Sequence, residues 1–184
     1  MKKNLGSKLA LYPTPAVVVG TMIDSKPTWV LVGHLGIIGH DRVMVSLAKA
    51  HHTNQGIRTT GRLSVNIIDD ALLQRADYVG CVSGAKVDKS EVFAYTLSEN
   101  GTPMIDDSPL TMDCEVVDNY QTEAFDSFIC KISTTFAEEG ILDADGKVDY
   151  GKLKPILFEM PTYSYLRTGD MVAKCMTLGK DLKK

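Results

Sequence analysis

The stretch VMVSLAKAHHTNQGIRTTGRLSVNII (43–68) joins two apolar runs through a short polar segment. Residues 43–47 and 63–68 are rich in β-branched side chains, and this composition predicts two strands. Between them, residues 53–60 predict a helix of about two turns. Thr53 suits the N-cap of this helix and Gly61 suits its C′ position. The stretch therefore predicts a strand, a short helix and a second strand.

The flanking segments extend this pattern. Residues 15–23 and 28–38 predict two strands joined by a turn at 25–27, and residues 110–121 and 127–142 predict two long strands. Gly33 and Gly36 lie inside the second of these strands, where glycine usually marks a bulge or the close approach of a ligand or another backbone. Many short strands with few helices predict an antiparallel β-barrel.

One further helix is predicted over residues 69–80. Leu72, Ala76 and Val79 follow a helical spacing, and Gly80 is expected to end the helix. Residues 83–108 are polar and predict irregular structure.

Composition limits the class of protein. A chain of 184 residues with 44% hydrophobic content is long enough for one core, so residues 1–184 are expected to form a single domain. The net charge is -3 and the basic residues are scattered, which argues against nucleic-acid binding. Pro13 and Pro15 interrupt the first apolar run, and no window has the roughly 18 apolar residues of a membrane span. We therefore expect a cytoplasmic protein without membrane contact.

The cysteines are far apart and form no C-x-x-C pair. This spacing predicts free, mostly buried thiols in a reducing compartment rather than a disulfide framework or a zinc site. Cys81 is expected to be a small buried apolar residue. The four residues are Cys81, Cys114, Cys130 and Cys175.

Several common functional motifs are absent. The chain contains neither G-x-G-x-x-G nor G-x-x-x-x-G-K-[ST], and no residue is marked as catalytic. The segment DADGKVD (143–149) has Gly146 at the fourth position, whereas a calcium loop needs glycine at the sixth. Residues 143–146 are therefore predicted to form a plain hairpin turn.

The adjacent histidines His51 and His52 invite two interpretations. Their side chains point about 100° apart in a helix and in opposite directions in a strand, so they are poor joint metal ligands, and no metal is expected. The N-terminus of a helix has free backbone N–H groups that bind phosphate well, and Lys49, both histidines and Thr53 could add donors there. These residues alone are equally consistent with an ordinary capped surface helix.

Five segments, in this order, resemble the flavin reductase-like family, in particular its flavoredoxin-type members. They are YPTPAVVVG (12–20), TWVLVGHLGIIG (28–39), residues 43–67, DYVGCVSGAKVDK (77–89) and GTPMIDDSPLTMDCEVVDNY (101–120). The resemblance implies a mainly β protein, a Greek-key antiparallel split β-barrel with a few short helices. It also implies a homodimer that binds FMN noncovalently near the subunit interface.

The resemblance also implies which residues contact FMN. The isoalloxazine ring would contact Val32, Gly33, His34 and Leu35. The ribityl phosphate would lie against Ser46, Leu47, Ala48, Lys49, His51, His52 and Thr53, and Lys89 would lie near the cofactor. Family members often have Trp in place of His34, Arg in place of His51, and Gly-Asp-His in place of EAF (123–125).

The function implied by this resemblance is that of a flavin reductase-like redox protein. Electrons from NAD(P)H or a protein donor would pass through FMN, and His34 would tune the ring unless it is an ordinary strand histidine. No side chain needs to act as an acid or base. Two alternatives stay open: an FMN-binding electron carrier or sensor without a pyridine-nucleotide site, and an empty split barrel that serves as an interaction module.

Overall fold

The computed structural model describes residues 1–182 and is built around a seven-stranded antiparallel sheet. The mainly β architecture predicted from the sequence is confirmed. The strands are β1 (Thr14–Pro15), β2 (Val17–Ile23), β3 (Lys26–Val32), β4 (Leu35–Gly39), β5 (Arg42–Ala48), β6 (Arg62–Ile67), β7 (Tyr95–Leu97), β8 (Pro103–Ile105), β9 (Leu110–Gln121), β10 (Phe125–Ala137), β11 (Ile156–Glu159) and β12 (Ser164–Arg167). The helices are α1 (Thr53–Thr60), α2 (Leu73–Cys81) and α3 (Tyr150–Leu153).

The strand order of the large sheet explains how it closes. The order is β3-β2-β6-β9-β10-β5-β4, so the two outermost strands, β3 and β4, are consecutive in the chain. Only Gly33 and His34 separate them. A link this short can join the two edges only if the sheet curls until the edges meet. The sheet therefore forms a barrel that is split at this link. The prediction of one continuous strand over 28–38 is therefore wrong, because the chain passes from one sheet edge to the other at Gly33.

The strand–helix–strand prediction for residues 43–68 is confirmed by β5, α1 and β6. Gly61 has φ 65° and ends the helix as predicted. The prediction of Thr53 as N-cap is wrong: His52 holds the N-cap position without a side-chain cap, and Thr53 is the first helical residue and is 2% exposed. The reason is that the chain has already turned before the helix, because the N–H of His51 donates to the Ala48 carbonyl.

The helix predicted over 69–80 is displaced in the structure. Residues 69–72 form a turn in which Asp69 Oδ1 accepts the N–H groups of Ala71 and Leu72, and α2 continues past Gly80. The predicted buried face, Leu72, Ala76 and Val79, is confirmed.

The thiols divide into two classes. Cys114 and Cys130 are buried in the barrel, whereas Cys81 and Cys175 are exposed. The prediction of Cys81 as a buried residue is wrong, because the last turn of α2 directs it away from the packed face of that helix.

The remaining elements follow the predictions in part. Strand β9 has the predicted bounds, but β10 ends at Ala137, before a 3-10 turn over Glu139–Ile141. The predicted turn at 143–146 lies between the bridged residues Leu142 and Val148. The irregular stretch 83–108 contains the short hairpin β7–β8.

Two apolar clusters stabilise the barrel. One fills its interior with side chains from β2, β3, β5, β6, β9, β10 and α1. The other packs α2 against the outside of β3 around Trp29, which makes edge-on contact with Phe93. No helix within residues 1–182 is long and apolar enough to cross a membrane.

Candidate functional site

A cavity of about 210 Å³ opens where β3 ends and β4 begins. The ends of β3 and β5 form its floor. Its walls come from Phe125 at the start of β10, Phe158 on β11 and Met160 just after β11. The lining is mostly apolar, with two imidazoles and one hydroxyl: Leu31, Val32, Gly33, His34, Ser46, Leu47, Ala48, His51, Phe125, Phe158 and Met160.

The structure brings most of the sequence-predicted residues together in this cavity. Three others lie elsewhere: Leu35 packs against the barrel core, Lys49 is exposed, and Thr53 is buried in α1. His52 and Lys89 line a second cavity on the other side of the histidine pair. The predicted residues that line the first cavity are Val32, Gly33, His34, Ser46, Leu47, Ala48 and His51.

Hydrogen bonds between strands fix the polar part of the first cavity. The N–H of Ser46 donates to the His34 carbonyl at 2.9 Å, so the link between β3 and β4 is tied to β5. The Ser46 and Ser127 hydroxyls are 2.8 Å apart across β5 and β10. His34 and Ser46 are thus held by the barrel itself.

The start of α1 is pinned to the end of β5. Asn54 Nδ2 donates to the Ala48 carbonyl at 2.8 Å, and Arg58 donates to the buried carboxylate of Asp126. The N–H groups of Asn54 and Gln55 already donate to the carbonyls of the two histidines. Among the residues that the structure describes, the N–H groups of His52 and Thr53 have no acceptor, and they are the donors that α1 can offer to an anion.

The second cavity has a volume of about 310 Å³ and lies under the loop 83–89. This loop fits closely against the site, since a Cβ placed on Gly84 would lie 3.0 Å from Thr28 Oγ1 and 3.3 Å from His52 Cδ2. Basic side chains outnumber acidic ones in its lining: Ile23, Asp24, Lys26, Pro27, Thr28, His52, Gly84, Ala85, Lys86, Val87, Asp88 and Lys89.

Lys89 is the most unusual charged group of this region. It is 5% exposed, and its Nζ donates to the carbonyls of Trp29 at 3.0 Å and Val79 at 2.7 Å. Burial lowers the pKa of Lys89 to about 8. An ammonium group has three donors, so one remains for a ligand.

The charges around Lys89 favour an anion. Burial and, to a smaller degree, the Lys89 charge lower the pKa of His51 below its ordinary value. Lys26 is already paired with Asp88 at 2.7 Å, so it adds little. A bound anion would favour the charged forms of both Lys89 and His51.

Sequence reasoning missed the aromatic and thioether walls of the first cavity. A Cβ on Gly33 would lie 2.7 Å from Phe158 Cδ1, so the close approach predicted at this glycine is made by a ring of the chain itself. The glycine signalled a close contact, but only the fold could identify Phe158 as the partner. Phe125 and Met160 enter the cavity from distant parts of the chain in the same way.

Comparison with known proteins agrees with this geometry. The family model described as flavin reductase like domain matches residues 9–157. The chain belongs to the flavin reductase-like family. A search of curated proteins finds no match to this chain.

Several solved structures are similar to nearly the whole chain. Flavoredoxin from Methanosarcina acetivorans has a TM-score of 0.93 and 31% identity, and the match covers 98% of each chain. Flavoredoxin of Desulfovibrio vulgaris (Miyazaki F) has a TM-score of 0.89 and 30% identity, covering 97% of this chain and 100% of that chain. An FMN-binding protein from Thermus thermophilus shares the fold, with a TM-score of 0.83, 19% identity, and coverage of 95% of this chain and 100% of that chain. The split-barrel prediction is thereby confirmed.

Proposed function

We propose that this flavin reductase-like protein binds FMN noncovalently, with the isoalloxazine ring in the first cavity and the phosphate toward the second. The observation that carries the proposal is the convergence of residues 32–34, residues 46–48 and His51 on one cavity. These segments belong to the end of β3 with its link to β4, to the end of β5 and to the turn that follows it, and the family resemblance assigns them to the same cofactor.

The residues present fit the chemistry of FMN. A flat aromatic ring needs apolar walls and a few polar groups at its edges, which the first cavity supplies through Phe125, Phe158, His34 and Ser46. The phosphate needs donors and positive charge, which Lys89 and the free N–H groups at the start of α1 supply.

FMN, when bound, supplies the electron-transfer chemistry, and the protein supplies binding, orientation and electrostatics. Phe125 and Phe158 would exclude water from the ring face. His34 and Ser46 would hydrogen-bond the polar edge of the ring. Lys89 and the start of α1 would hold the phosphate.

The presence of FMN is tested by mass spectrometry of ligand released from the purified protein, and by titrating apo-protein with FMN while following flavin fluorescence. A yellow protein that releases FMN, or saturable binding to the apo-protein, supports the proposal. A colourless protein that does not bind added FMN would favour the empty interaction module.

We further propose that the bound flavin takes electrons from NAD(P)H or from a protein donor. Stopped-flow mixing with NADH and with NADPH, monitored at the flavin absorbance band, measures this directly. Rapid bleaching with either nucleotide indicates a reductase. Bleaching only by a chemical or protein reductant indicates an electron carrier or sensor.

The protein is also proposed to act as a homodimer. Ile37 and Ile38 are 87% and 48% exposed on the edge strand β4, and Tyr163 is 76% exposed after β11. Tyr165, on β12, donates its hydroxyl proton to Asp77 within the chain at 2.6 Å. Light scattering at micromolar concentration should give twice the monomer mass, and a monomeric mass would contradict the proposal.

A further inference from the structure

Three side chains from distant segments meet at the wall of the first cavity. Tyr12 Oη lies 2.9 Å from His34 Nε2 and 3.1 Å from Met160 Sδ. Tyr12 belongs to the segment before β1, and Met160 follows β11. The His34 ring lies near the rings of Tyr12 and Phe125, whose centroids are 6.4 and 5.6 Å away from its own.

The chain holds Tyr12 firmly in this place. Thr14 Oγ1, two residues later, donates to the Gly33 carbonyl at 2.7 Å, next to His34 itself. Thr14 and Pro15 also pair with β11, the strand that leads to Met160. The same short ladder therefore positions Tyr12, His34 and Met160 relative to one another.

The direction of the hydrogen bonds follows from the chemistry of the three groups. A thioether sulfur can only accept, so the proton between Tyr12 and Met160 belongs to the Tyr12 hydroxyl. The hydroxyl has a single proton; when that proton lies on the 3.1 Å contact with Sδ, the Tyr12 oxygen accepts in the contact with His34. The donor of that contact is then the Nε2–H of His34. In the neutral imidazole the other nitrogen, Nδ1, carries a lone pair and can only accept.

We propose that Tyr12 and Met160 are positioning residues that fix His34 as the Nε2–H tautomer, so that Nδ1 accepts a hydrogen bond from the ligand of the cavity. Within residues 1–182, Nδ1 of His34 has no hydrogen-bond partner, and His34 lines the cavity. The ligand must therefore present an N–H or O–H group at this wall. Resting on the proposed function, that group is an N–H on the polar edge of the flavin ring.

The tautomer can be measured without any cofactor. Two-dimensional ¹⁵N–¹H correlation spectra of the apo-protein at about pH 9, well above the ordinary pKa of imidazole, distinguish protonated from unprotonated ring nitrogens. We expect the wild-type His34 to be protonated at Nε2. Met160→Leu removes the acceptor for the Tyr12 hydroxyl, which should then donate to Nε2 and move the ring proton to Nδ1.

Met112→Leu is the matched control, because Met112 is also half-buried but lies on β9, away from the cavity. It should leave the tautomer unchanged. Tyr12→Phe should remove the preference for one tautomer. A wild-type ring protonated at Nδ1, or a Met160→Leu ring still protonated at Nε2, would overturn the proposal.

Binding to FMN gives a second readout. If the protein binds FMN, Met160→Leu should weaken binding roughly threefold to tenfold, because a donor on His34 then faces a donor on the ligand. Met112→Leu should bind FMN as the wild type does. Equal FMN affinity of the wild type and Met160→Leu would contradict the acceptor role of Nδ1. Failure of the wild type to bind FMN would contradict the proposed function but leave the tautomer measurement intact.

Discussion

Lys89 offers the sharpest test of where the phosphate binds. Its Nζ uses two donors on the carbonyls of Trp29 and Val79, and the third is available at the second cavity. A hydrogen bond to a charged group contributes about 1.5–3 kcal/mol, which corresponds to a roughly 10- to 150-fold change in Kd. Lys89→Met should therefore weaken FMN binding at pH 7 by about this factor.

The pH dependence of the wild type tests the same contact without a substitution. In the free protein the pKa of Lys89 is about 8, and a bound phosphate should raise it, because the anion favours the charged amine. FMN then binds most tightly below about pH 8. As pH rises from the free-protein pKa toward the higher pKa of the complex, Kd should increase by at most about tenfold per pH unit for this single proton.

The assay is a fluorescence titration of apo-protein with FMN between about pH 7 and 9.5, where the phosphate is mainly a dianion. Lys89→Met should flatten the profile. Lys147→Met is the control, because Lys147 is remote and its side chain is 77% exposed. Near-ultraviolet circular dichroism confirms that each variant is folded. A flat wild-type profile together with an unchanged Kd in folded Lys89→Met would refute the assignment.

Three further predictions concern stability, reactivity and the helix start. Gly20→Ala should lower the free energy of unfolding by about 3 kcal/mol in urea titrations, because the new Cβ would lie 2.2 Å from Trp29 Cζ3 in the core; wild-type stability would contradict this packing. Thr53→Val should leave the Kd for FMN within about twofold in the same fluorescence titration, because the Thr53 side chain lines neither cavity and the substitution keeps its backbone N–H; a larger loss would place the Thr53 hydroxyl in the site. A thiol reagent should modify two cysteines of the native protein quickly and the other two only on unfolding, since burial raises the pKa of the buried pair. Mass mapping should find the fast pair to be Cys81 and Cys175 and the slow pair to be Cys114 and Cys130.

The sequence predicts the strands and the short helix well because local pattern determines them. In residues 43–68, two runs rich in β-branched side chains flank a short polar segment, which is the pattern of a strand, a helix and a strand. Gly61 provides the left-handed residue that ends α1. The break between β3 and β4 escapes this reasoning, because residues 28–38 are mostly apolar and contain no proline to mark a break. Only the pairing of Leu35 with Val45, and of Val32 with Val17, sends the two halves to opposite sheet edges.

The candidate site is only partly predictable for a related reason. Residues near the β3–β4 link and at the end of β5 belong to two segments whose family resemblance is visible in sequence. The pairing of β1 with β11 brings Phe158 and Met160 to the same cavity and places Tyr12 against Met160, at a sequence separation of over 140 residues. No local sequence pattern predicts contacts between residues so far apart in the chain.

The two adjacent histidines line two different cavities. His51 lines the first cavity, whose apolar walls come from β10 and β11. His52 lines the second cavity, which also contains Lys89. Neighbouring side chains at the start of a helix diverge by about 100°. The two histidines therefore cannot bind one ion together, but each can line one of the two cavities. The free N–H groups of His52 and Thr53 lie at this division. A ligand with an apolar ring at one end and an anion at the other would cross the start of α1, with its ring beside His51 and its charge beside His52. This is the shape and charge distribution of a mononucleotide such as FMN.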